Sequence, residues 1–235
     1  MPVLTTSLDI CAWLDSYRVT NYSLEPDEKY GFRVCVQGDV YLGDQKLSYL
    51  PVKFGRVSGK FEVYNNCLSS FEFFPDEVGH YLDFSHNAFT SLKSLPQVLG
   101  DINANNNNLS SLEGCPFIIY GSFYCGHNRL RTLKGAPRVT ERGFYCENNA
   151  LTSLKYCPQQ IGGNFVAENN NLQHLLYFPK FINGFVYLDN NRALGDFQEI
   201  RMTEKIQQQR TIYLERHQLK RVLRKDNNKP STHKL

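Results

Sequence analysis

Apolar residues along this chain fall into a pattern that repeats about every 21 positions. Within each unit two apolar side chains stand two residues apart, and further on two more stand three apart. "FYCGHNRLRTL" (123–133) and "FYCENNALTSL" (144–154) show the unit twice in succession. Aligned on the first residue of the later pair, the units read Leu47, Leu68, Phe89, Leu109, Leu130, Leu151, Leu172 and Ala193, every step being 21 residues except one of 20. Seven positions earlier stand Val40, Phe61, Leu82, Ile102, Phe123, Phe144, Phe165 and Val186; five earlier, Leu42, Val63, Phe84, Ala104, Cys125, Cys146, Ala167 and Leu188. Alternation of this kind predicts a short strand with one buried face. A fixed period of this length predicts a solenoid, since a lone coil has no way to bury its own apolar edge.

Polar positions repeat as well. Two residues before the anchor stand Gln45, Asn66, Asn87, Asn107, Asn128, Asn149, Asn170 and Asn191. An amide there, where the chain leaves the strand, can both donate to and accept from backbone groups that no strand partner reaches. After the second leucine come Pro75, Pro96, Pro116, Pro137, Pro158 and Pro179, which exclude a long helix, and a glycine precedes nearly every strand. The consensus is F-x-C/V/A-x-x-N-x-L-x-x-L-x-x-x-P-x-x-V/I-x-G.

This consensus resembles the leucine-rich repeat, L-x-x-L-x-L-x-x-N-x-L, with Phe and Cys or Ala at strand leucine positions. Its short proline-bearing spacer is similar to that of the compact bacterial subclass. "WLDSYRVTNYSLEPD" and "LPVKFGRVSGKFEVYNN" resemble the opening of leucine-rich-repeat proteins encoded by bacteria and phages, and the likeness covers roughly residues 8–195. It implies an α/β solenoid with short parallel strands, a mostly irregular convex side, an amino-terminal helical cap and a carboxy-terminal helix. The expected organisation is a cap of helix plus strand over residues 1–37 and about eight repeats over 38–195. A helical cap or extension follows over 196–225, then a disordered tail over 226–235. Thr6 or Ser7 is placed to start the first helix. If the phage likeness holds, the chain is an inhibitor of a host defence or nucleic-acid enzyme, acting in the host cytoplasm.

Charge divides the chain. The 235 residues carry a formal +3, but from Asp196 onward ten Lys or Arg face five Asp or Glu, which leaves −2 for residues 1–195. The opening "MPVLTTSLDICAWLD" has neither a basic start nor a long apolar run, so a cytoplasmic protein with reduced thiols and no membrane insertion is expected. No G-x-S-x-G, phosphate loop or dinucleotide fingerprint is present, and no cofactor or catalytic residue is expected. Bacterial leucine-rich-repeat effectors sometimes carry a ubiquitin-ligase domain after the repeats, for which forty residues are too few. Cys125 and Cys146 share a column, with His127 nearby, yet their slot elsewhere holds Val63, Ala104 and Ala167, so packing explains them better than zinc.

Function is expected on the outward strand residues. Six before the anchor are Tyr41, Glu62, Asp83, Asn103, Tyr124, Tyr145, Val166 and Tyr187; four before it are Gly43, Tyr64, Ser85, Asn105, Gly126, Glu147, Glu168 and Asp189. Tyrosines and carboxylates in this density predict a concave face that binds a protein with a basic surface, through Tyr41, Glu62, Tyr64, Asp83, Tyr124, Tyr145, Glu147, Glu168, Tyr187 and Asp189. The plainer alternative is an exposed sheet solvated by carboxylates, with aromatics present for strand propensity. A second reading places nucleic-acid or membrane-surface contact, or pairing of two copies, on the basic carboxy-terminal helix through Lys205, Arg210, Arg216, Lys220, Arg221 and Arg224.

Overall fold

A computed structural model describes residues 3–191 and Leu194. The expected carboxy-terminal helix, its basic residues and Ala193 of the eighth unit lie outside the described residues. At the amino-terminal end the Thr6 hydroxyl accepts from the Asp9 amide at 3.2 Å and starts α1 (Ser7–Ser16), which buries Ile10, Trp13 and Leu14. Trp13 meets Phe54 edge-on, with ring centroids 6.5 Å apart, so the helix closes one end of the core. β1 (Tyr22–Asp27) and β2 (Gly31–Val36) then form an antiparallel hairpin.

Every later strand is short and parallel to its neighbours. In chain order they are β3 (Val40–Tyr41), β4 (Lys53–Val57), β5 (Lys60–Glu62), β6 (Glu77–Val78), β7 (Tyr81–Asp83), β8 (Gln97–Val98), β9 (Asp101–Asn103), β10 (Ile118–Ile119), β11 (Phe123–Tyr124), β12 (Val139–Thr140), β13 (Phe144–Tyr145), β14 (Gln160–Ile161), β15 (Phe165–Val166), β16 (Phe181–Ile182) and β17 (Val186–Tyr187). The odd-numbered strands from β3 to β17 make one long sheet, paired in the register of the sequence columns: Phe61 opposite Leu82, Phe123 opposite Phe144, Phe165 opposite Val186. The described chain is thus a parallel-strand β-solenoid of about seven turns with one short helix.

The even-numbered strands correct the expectation of a mostly irregular side. β2, β4, β6 and β8 form a second stack, and β10, β12, β14 and β16 a third. The cause lies in the apolar position near the corner glycine. Val78, Ile119, Ile161 and Ile182 point into the core with at most 2 % exposure, and fixing that side chain in successive coils brings their backbones to pairing distance. The corner is tight: a Cβ on Gly100 would run into the His80 carbonyl oxygen. β8 and β10 do not pair, so the second stack is broken there.

Between the sheets lies a continuous core. Its amino-terminal half is aromatic, with Phe71 stacked on Phe89 at 4.4 Å and Phe54, Phe61, Phe74 and Phe84 packed around them. Farther on, Phe123, Phe144 and Phe165 stand one above the other with centroids about 6 Å apart.

Candidate functional site

The long sheet ends each strand in the same way. Three residues before the anchor stand Asp44, Asn65, His86, Asn106, His127, Asn148, Asn169 and Asn190, all with φ between 49° and 60°. This left-handed turn is why Asn, Asp and His fill the column, since these residues enter that region most readily after glycine. The following asparagine ties coils together. Asn149 Nδ2 donates to the carbonyls of Cys125 in the preceding coil (3.1 Å) and of Cys146 and Glu147 in its own, while its Oδ1 accepts from the Leu130 amide at 2.9 Å. Asn66, Asn87, Asn107, Asn128, Asn170 and Asn191 repeat these bonds. His86 and His127 are therefore turn residues, each within 3.2 Å of the neighbouring asparagine amide, Asn106 or Asn148.

With the turns fixed, the outward columns lie on one face of the long sheet, in three zones. At the amino-terminal end Tyr41 is exposed and donates to Asp39 Oδ2 at 2.8 Å. The Asp39 carboxyl sits below its ordinary range because the Lys60 amide and the Tyr41 hydroxyl donate to it. Tyr64 lies over Gly43, where a Cβ would come within 2.5 Å of its ring. Glu62 is raised, by partial burial first and then by Asp83 and Asp39, against the lowering effect of Lys60.

The middle zone is a shallow cavity of about 660 Å³ beside the break between β8 and β10. Tyr81, Tyr120, Tyr124, Asp101, Asn103, Asn105 and Arg142 are among the residues that line it. Asp83, expected at the surface, is only 8 % exposed: Oδ2 accepts from the Tyr81 hydroxyl (2.8 Å) and Asn103 Nδ2 (3.0 Å), and Oδ1 from the Ser85 amide. It orders the wall of the cavity rather than facing solvent. Burial, followed by the Asp83 hydrogen bond, pushes the Tyr81 hydroxyl well above its usual range. Arg142 arrives from the corner and reaches Asp101 Oδ2 at 3.5 Å. Neither it nor Tyr120 stands in an outward strand column, so sequence columns alone do not find them.

The last zone combines aromatics with acid. Tyr124 and Tyr145 stack at 4.5 Å with 12° between their planes, and a Cβ on Gly143 would collide with the Tyr145 ring. Beside them Glu147, Glu168 and Asp189 come from three successive coils. Glu147 lies over Gly126, and its Oε2 is buried with no hydrogen-bond partner. The Glu168 carboxyl is raised by desolvation first, then by Asp189 and Glu147. Among the described residues no Lys or Arg pairs with these three, whereas Glu25, Glu72, Asp76, Glu77, Asp101 and Glu113 each have one within 4 Å. Val166 separates the stacked pair from exposed Tyr187.

Cys125, Cys146 and Cys157 are buried thiols, pushed well up first by desolvation, and so are poor nucleophiles. All seven cysteines are free. Among the described residues no three His, Cys, Asp or Glu side chains gather to hold a metal ion, and no helix is long and apolar enough to cross a membrane. No protein-family model, curated protein or solved structure matches this chain.

Proposed function

We propose that this chain is a non-catalytic scaffold of the leucine-rich-repeat type, and that the long-sheet face holds a protein with a basic surface. The observation that carries the reading is a row of carboxylates. Glu147, Glu168 and Asp189 come from three successive coils with no Lys or Arg paired to them among the described residues, next to the Tyr124–Tyr145 stack, whereas Asp101 and Glu113 each have a cation within 4 Å. Like charges at strand spacing repel one another, and the proton affinity of Glu168 is raised by desolvation first and then by Asp189 and Glu147. A cationic partner relieves the repulsion, and the stacked rings offer rigid area with little rotamer entropy to lose. The phage likeness of the opening residues extends the proposal to inhibition of a host enzyme in the bacterial cytoplasm.

Affinity capture from bacterial lysate tests it. The native chain is expected to retain a basic protein that is lost both from a Tyr124→Ala, Tyr145→Ala variant and from a Glu147→Gln, Glu168→Gln variant. Identical captured proteins from all three would defeat the assignment to this face.

A further inference from the structure

We infer that the cavity beside the β8–β10 break is a seat for one arginine side chain of the partner, stacked on Tyr124 and paired with Asp101. The inference rests on the basic-partner reading and adds to it where the anchor goes and which cation it is. Tyr124 is covered on one side by Tyr145, so the ring face that borders the cavity is the other one. Tyr81 and Tyr120 line the same space, giving three rings around one volume. Cations are attracted to ring faces, and guanidinium, being planar and weakly hydrated, stacks where an ammonium group cannot.

Asp101 supplies the counter-charge. Its Oδ1 accepts from the Ser122 amide, which fixes the carboxylate, and among the described residues its Oδ2 has only the long contact to Arg142 at 3.5 Å. The Arg142 side chain is 70 % exposed, so this is a loose surface pair that an incoming guanidinium can replace. Lys60, at the opposite rim, is turned toward Glu62 at 3.9 Å. Asn103 and Asn105 form a short-chained floor: their oxygens accept from the amides of Asn105 and Gly126, so both side chains are held in place. The volume, about 660 Å³, leaves room for residues on either side of the arginine, and recognition of an extended stretch of the partner follows.

The test uses the full chain and two probes, the N-acetyl, N-methylamide derivatives of arginine and of lysine, titrated to about 10 mM while side-chain and amide resonances are followed. Expected are saturable shifts at Tyr124 and Asn105 with the arginine probe, and binding several-fold weaker with lysine. Tyr124→Leu and Asp101→Asn should each weaken the arginine probe roughly three- to tenfold, the second while keeping the acceptor for the Ser122 amide. Arg142→Gln, which removes the competitor, should tighten it. Equal response to both probes, no shift at these residues, or weaker binding in Arg142→Gln would overturn the seat. Glu168→Gln separates the two proposals, because it should reduce capture of the whole partner and leave the arginine probe unchanged. If the probe fails while Glu168→Gln still weakens capture, the seat falls and the basic-partner reading stands.

Discussion

At the scale of single residues, two adjacent polar positions do different work. The asparagine at the brace makes side-chain bonds to backbone groups of two coils, and its removal leaves those groups buried and unpaired. Asn149→Ala is expected to cost about 1–3 kcal/mol, read as a lower midpoint in urea at unchanged slope. The residue before it is chosen for its backbone. His127 has φ 51°, so His127→Gly should be neutral or nearly so, while His127→Ala should cost roughly 1 kcal/mol. Equal losses for His127→Gly and Asn149→Ala would contradict this division. The asparagine column was legible in the sequence because one residue type recurs there. The left-handed column beside it was not, since Asp, Asn and His look unrelated until their φ angles are known.

At the scale of strands, the long sheet could be read directly, because its two-residue alternation survives in every unit. The second stack was harder to see. A single inward residue per coil, such as Ile119 or Ile161, is too short a pattern to mark a strand, and pairing arises only once the coils are stacked. The cavity follows from that second stack, so no column of the sequence outlines it. The face also depends on residues without side chains. Gly143→Ala puts a methyl group into the Tyr145 ring, and the ring must leave its stack on Tyr124. The expected result is a folded protein, unchanged in far-ultraviolet circular dichroism, with altered tyrosine resonances and weakened partner capture. A protein that captures its partner as well as the native chain would remove Tyr145 from the interface.

For the whole molecule, charge is distributed by position along the solenoid. The final coils gather Glu147, Glu168 and Asp189, and the raised Glu168 carboxyl gives that end a pH response. A carboxyl whose folded pKa lies above its unfolded value favours folding while protonated. Its stabilising contribution is complete below the unfolded pKa and is lost as pH rises through the folded one. Partner binding has the opposite sign, because it needs the carboxylate: affinity should rise as pH climbs through the Glu168 titration and should weaken with salt. Glu168→Gln should flatten that part of the pH profile, and a profile identical to the native one would rule out this group. Stability and recognition therefore pull against each other at this end.

The one 20-residue step also shows where length is negotiable. β8 begins directly after Pro96, whereas β6 begins two residues after Pro75, so the missing residue falls in the spacer and the distance from strand to asparagine stays constant. Because each asparagine grips the coil behind it, a stray insertion inside that interval would throw every later grip out of phase, while a complete extra turn would find its clasp already made. Growth of such a molecule is quantised: it can become longer by whole windings, and its binding wall lengthens with each one.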